Sequence, residues 1–198
     1  DPRRRQPAGR RAVRHIAEVG FDLYLRLVGE AVAEFRGEDA EPEPEMRIEL
    51  PVDAHLPVDY IESERLRLEM YKRLAAVTTT AELAAVRDEL VDRYGEPPAP
   101  VQALLAVAAF RLEAKRRGVT EVIQAGTNIR FAPAELPESV QLRLARVYPG
   151  AQYRKAAGFL LVPRPMTRPI GGQPVTDAAL LEWATQLLSD VFPAAASQ

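Results

Sequence analysis

The stretch GVTEVIQAGTNIRF, residues 118–131, decides how the chain folds. Val119 to Gln124, rich in β-branched residues, reads as a strand. Gly126-Thr127-Asn128 has the composition of a tight turn, and Ile129-Arg130-Phe131 reads as the returning strand, so the spacing predicts a β-hairpin. Downstream, a short helix is predicted around Glu138 to Val147, ending at Pro149-Gly150. Strands follow at Ala151 to Arg154 and Phe159 to Val162. A loop fills Pro163 to Pro174. A last helix, capped by Thr176 or Asp177, carries Leu180, Leu181, Trp183, Leu187, Leu188 and Val191.

Upstream of Gly118 the apolar residues recur every three to four positions, as on helices. One helix is expected to open at Pro57 to Asp59, with Ile61, Leu66, Leu68, Met70, Tyr71, Leu74 and Val77 on its apolar face. Thr78-Thr79-Thr80 ends it, and one of these threonines with Glu82 can cap a second helix. That helix carries Leu83, Val86, Leu90 and Val91 and stops at Gly95. A third runs from about Pro98 to Arg117, with Lys115, Arg116 and Arg117 against the negative end of its dipole. Met46-Arg47-Ile48-Glu49-Leu50 alternates as a half-buried strand does. Helices first and short strands later give an α+β class, with helices packed on a small mixed or antiparallel sheet.

Four segments follow from composition. Residues 1–14 hold six arginines with Pro2, Pro7 and Gly9, and are expected to be disordered. Residues 15–36 read as an isolated helix whose wide apolar face, including Ile16, Val19, Leu23 and Leu27, demands a partner; docking elsewhere or dimerisation through it is expected. GEDAEPEPE, residues 37–45, reads as an acidic, extended linker. Residues 46–195 are expected to form one domain.

The 198 residues include no cysteine, which removes disulfides, zinc–thiolate sites and thiol catalysis. No phosphate-binding GxxxxGK[ST] loop is present. His15 and His55 fall on different elements, without the neighbours a metal site or a catalytic triad requires. Gly171-Gly172 sits in a proline-rich loop and reads as a flexible turn. No catalytic residue, metal or cofactor is therefore expected. No apolar run reaches membrane-spanning length, and a cytoplasmic location is expected.

Two charged surfaces remain. Asp88, Glu89 and Asp92 lie together on the second helix, either as a solvated face or as a docking patch for arginines. Arg111, Lys115, Arg116 and Arg117 close the third helix, either compensating its dipole or binding phosphate. With the N-terminal arginines, this second surface makes a nucleic-acid-binding module the rival reading.

Three segments resemble the C-terminal part of bacterial transcription-repair coupling factors: GFDLYLRLVGEAV (Gly20 to Val32), ELPVDAHLPVDYIESERLRLEMYKRLA (Glu49 to Ala75) and ELVDRYGEPPAPVQALL (Glu89 to Leu105). The first resembles the helix that closes the family's translocation module, and the others its C-terminal domain. Where the family carries a glycine-rich motif coupling ATP hydrolysis to movement, this chain reads RRRQPAGRRAVRH, keeping only His15. The resemblance implies an ATP-dependent DNA translocase as parent and a non-enzymatic regulatory domain here. Such a domain docks on the parent's N-terminal UvrB-like domain and hides its UvrA-binding surface until stalled RNA polymerase and DNA are engaged. It also implies that Glu89 and Asp92 face arginines of the masked domain.

Overall fold

The computed structural model describes residues 46–194, so the expectations for the arginine-rich segment, the isolated helix with its dimer, and the acidic linker lie outside the described residues. In chain order the elements are β1 (Arg47–Glu49), α1 (Glu64–Ala76), α2 (Thr80–Tyr94), α3 (Ala99–Arg116), β2 (Glu121–Ala125), β3 (Asn128–Ala132), α4 (Glu138–Val147), β4 (Gln152–Arg154), β5 (Phe159–Pro163) and α5 (Asp177–Val191). The fold is α+β. The range expected as one domain divides into two compact units, Asp53–Ala109 and residues 46–52 with 110–194.

The second unit is built on a five-stranded mixed sheet in the order β1-β2-β3-β5-β4. Only β1 and β2 are parallel. A parallel neighbour cannot be reached through a hairpin and needs a long crossover. The first unit lies within that crossover in the chain. One row of side chains runs across all five strands in register: Ile48, Val122, Phe131, Leu160 and Tyr153. All but Tyr153 are buried. Along β3 buried residues alternate with half-buried ones, as the two-residue repeat of a strand requires. Helix α5 buries Leu180, Leu181, Ala184, Leu187, Leu188 and Val191. Trp183 lies between Phe131 and Tyr148, at centroid distances of 6.3 Å from each. Thr176 is the α5 cap position without a side-chain bond, and Asp177 takes a φ of 55°.

The first unit holds α1, α2 and α3 up to Ala109, around Leu56, Ile61, Met70, Tyr71, Leu74, Val86, Leu90, Val101 and Leu104. Here one expectation is corrected. α1 does not open at Pro57 to Asp59; those residues form a turn, and the helix starts at Glu64. The cause is local: the Ser63 hydroxyl accepts the Leu66 N–H at 3.3 Å, satisfying a first-turn donor that a start at Pro57 would leave without a cap. Ile61 is still core, buried from the turn, not from a helix face. The Arg67 guanidinium is buried too. It donates to the carbonyls of Ile61 (2.5 Å) and Glu62 (2.9 Å), closing that turn from inside.

Candidate docking surface

Helix α2 is held firmly at both ends. Thr79 caps its start, accepting the Glu82 N–H at 3.1 Å, while the Glu82 carboxylate accepts the Thr78 N–H at 2.9 Å. This is the reciprocal cap expected from the threonines and Glu82, with the return bond one residue earlier than the usual capping box. At the other end Gly95 takes a φ of 87°, where a side chain would be strained, and its N–H bonds the Val91 carbonyl at 3.0 Å. The Tyr60 hydroxyl then donates to the Gly95 carbonyl (2.9 Å) and also reaches that of Leu90 (3.3 Å), and its ring packs on Tyr94. Burial, then the charges of Glu96 and Tyr94, push the Tyr60 phenol up from its ordinary value.

Val86 and Leu90 point into the core. The opposite face shows Ala81, Ala84, Ala85, Asp88, Val91 and Asp92, all exposed. At 100° per residue these six fall within an arc of about 120°, so they form one stripe. Val91 was expected on the apolar core face and instead is 39% exposed, at the edge of this stripe. Its angular position shows why: it lies about 100° from Leu90 and about 60° from Asp88. A helical wheel drawn through Leu83, Val86 and Leu90 would have found it.

The three acidic candidates separate. Glu89 lies beside the stripe and pairs with Arg73 of α1 and, at 3.6 Å, with Arg93. Its side chain is 34% exposed and its Oε2 is enclosed. Glu89 therefore ties α1 to α2. Asp88 and Asp92 are exposed, with no hydrogen-bond or ion-pair partner among the described residues. Local spacing could not separate these roles, because Arg73 comes from another helix.

The basic candidates are largely satisfied from within. Glu113 accepts two bonds from Arg116 (2.9 and 3.1 Å) and one from Arg117 Nε at 2.6 Å. Arg117 also donates to the Phe192 carbonyl. The Arg116 bond, with help from Arg117, holds the Glu113 carboxyl below its usual range against the partial burial that raises it. Arg111 and Lys115 also have interaction partners. The i, i+3 and i, i+4 spacing to Glu113 was the available sequence signal. His55 meets Asp53 at 2.8 Å. Among the described residues no group of three or more metal-ligating side chains gathers, and no helix is long and apolar enough to cross a membrane.

Comparison with known proteins supplies the family. The model of the TRCF domain matches residues 50–141. Transcription-repair-coupling factors of Mycobacterium bovis and Mycobacterium tuberculosis are each 46% identical over 187 residues, covering 88% of this chain and 15% of theirs. The chain belongs to the transcription-repair-coupling factor family. The factor of Staphylococcus haemolyticus is 40% identical over 119 residues, 59% of this chain and 10% of its own. This chain thus spans a small fraction of the coupling factors it matches. Its fold is similar to a crystal structure of the C-terminal domain of a transcription-repair coupling factor, with a TM-score of 0.57 at 20% identity, covering 74% of this chain and 93% of that one.

Proposed function

We propose that this chain is the autoinhibitory C-terminal portion of a coupling factor acting in transcription-coupled DNA repair. In this reading the α2 stripe docks on arginines of the parent protein's UvrB-like N-terminal domain and covers its UvrA-binding surface. Engagement of stalled RNA polymerase and DNA by the parent, an ATP-dependent translocase, releases it. This chain regulates and does no chemistry.

One observation carries the reading. Asp88 and Asp92 are exposed with no partner among the described residues, beside exposed Val91, on a helix anchored at both ends. A preorganised face loses little entropy on docking, and carboxylates recognise arginine directionally. The neighbouring alanines let a partner approach the helix closely. Residues 53–109 hold ten Asp or Glu against six Lys or Arg, a balance of −4, which favours a cationic partner. Of the three residues expected in the docking patch, Asp88 and Asp92 keep that role in the proposal, and Val91 joins them. Glu89 supports from behind.

The test is charge reversal in the full-length factor, Asp88→Lys with Asp92→Lys. Capture of UvrA and affinity for DNA are expected to rise together, because the closed state loses its attraction. Unchanged capture of UvrA by a folded double variant sinks the proposal.

A further inference from the structure

The chain from Pro163 to Val175, where a loop over Pro163 to Pro174 with a flexible turn at Gly171-Gly172 is expected, is a built hairpin. Met166 pairs with Pro174 in an antiparallel bridge. The Thr167 N–H reaches the Gln173 carbonyl at 2.8 Å, the Gln173 N–H reaches the Thr167 hydroxyl at 3.0 Å, and the Val175 N–H reaches the Pro165 carbonyl at 2.9 Å. Its root is tied to the β2–β3 turn by the Arg164 N–H and the Thr127 carbonyl at 2.9 Å. Gly172 lets the strands close: a Cβ there would meet the Arg168 backbone at 2.5 Å. At the tip Ile170 is 90% exposed, the most exposed large apolar side chain among the described residues.

The hairpin carries two Arg-Pro steps, Arg164-Pro165 at its root and Arg168-Pro169 beside the apolar tip. Neither arginine meets a carboxylate among the described residues. Arg168 donates only to the Gly171 carbonyl at 3.3 Å, and the enclosed Arg164 Nε has no acceptor. Residues 110–194 hold eleven Lys or Arg against seven Asp or Glu, a balance of +4. Proline holds each arginine's backbone extended and limits the entropy lost on binding.

We propose that the hairpin of residues 163–175 contacts duplex DNA through the minor groove, with Arg164 and Arg168 in the groove and Ile170 as an apolar wedge at a base step. Narrow A·T-rich minor grooves concentrate negative potential and attract arginine, and apolar side chains such as isoleucine and proline insert between steps there. An acidic protein partner fits less well. It would satisfy the arginines but gives no role to a single apolar side chain at the end of a narrow ribbon. The site is separate from the α2 stripe, so the two proposals stand or fall independently.

The experiment measures binding of the 198-residue chain to an A·T-rich duplex of twenty base pairs by fluorescence anisotropy across a salt series. A dissociation constant of about 1–100 µM is expected at low salt. Arg164→Gln with Arg168→Gln should weaken binding at least about tenfold and lower the salt slope by about 1.8, two phosphate contacts' worth. Ile170→Ser should weaken it about threefold or more with the slope unchanged, since no charge is lost. Duplex presaturated with netropsin should bind poorly. No saturable binding by the wild-type chain overturns the proposal, as does equal affinity of the hairpin variants. An equal loss from Arg143→Gln with Arg146→Gln, on α4, also overturns it by showing diffuse attraction. If the double arginine variant melts early, Ile170→Ser decides alone, because its exposed side chain supports no core.

Discussion

Replacing Glu89 with glutamine and, separately, Asp92 with asparagine removes one charge from the same helix turn, yet the structure requires opposite outcomes. Glu89 joins α1 to α2 through Arg73 and adds Arg93. Breaking a fully buried ion pair costs about 3–5 kcal/mol. That value is too large here: Glu89 is 34% exposed, Arg73 46% and Arg93 44%, so water and salt screen both pairs. A solvent-exposed pair contributes about 0.2–1 kcal/mol, and the enclosed Oε2 of Glu89 places the sum near the upper end, about 1 kcal/mol. For a chain of this size that lowers Tm by about 2–4 °C. Asp92 has no partner among the described residues to lose, so Asp92→Asn should shift stability by no more than about 0.5 kcal/mol. Differential scanning fluorimetry at low salt and at about 0.5 M salt reads both. The Glu89→Gln deficit should shrink at high salt, where the Debye length falls to a few ångströms. Under the proposed docking on a UvrB-like domain, Asp92→Asn is expected to be the weaker binder of the two. Equal melting of the two variants, or a Glu89→Gln protein as stable as wild type, refutes the separation into a structural and a docking carboxylate.

Three further outcomes follow from other contacts. Tyr60→Phe removes the hydroxyl that holds the end of α2 and should cost about 1 kcal/mol at neutral pH by chemical denaturation. The folded Tyr60 phenol holds its proton more tightly than an unfolded tyrosine, whose pKa is about 10. Its contribution is complete below that pH and lost as pH rises through the folded value, so wild type and Tyr60→Phe should converge in stability at alkaline pH. Tyr148→Phe deletes a 2.7 Å bond to the Asp190 carboxylate and should cost about 1.5–3 kcal/mol, read as a lower denaturation midpoint with an unchanged m-value. Gly172→Ala forces the 163–175 hairpin open; amide exchange at Thr167 and Gln173 should quicken while the α5 core amides stay protected.

Much of the fold was readable along the chain because its determinants are local. The β2–β3 hairpin announces itself in strand-forming residues on both sides of Gly126-Thr127-Asn128, and α2 in its threonine cap, Glu82 and Gly95. α4 begins and ends at the residues its sequence suggested. The start of α1 differs from the expected one because Ile61 is a core residue outside any helix. Apolar periodicity reports burial, and burial does not require the helix to continue through it.

Tertiary structure alone decided three matters. It paired β1 with β2 in parallel across some seventy residues of chain, a choice made by sheet geometry with no signal at either strand. It divided the residues of one expected domain into two compact units. It also separated the carboxylates of α2: sequence placed Asp88, Glu89 and Asp92 on one helix turn, but Arg73 arrives from a different helix and engages Glu89. Side-chain spacing within a helix is set by a repeat of 3.6 residues and can be computed from sequence. Which charges find counter-ions depends on packing between helices, and that exists only once the chain has folded.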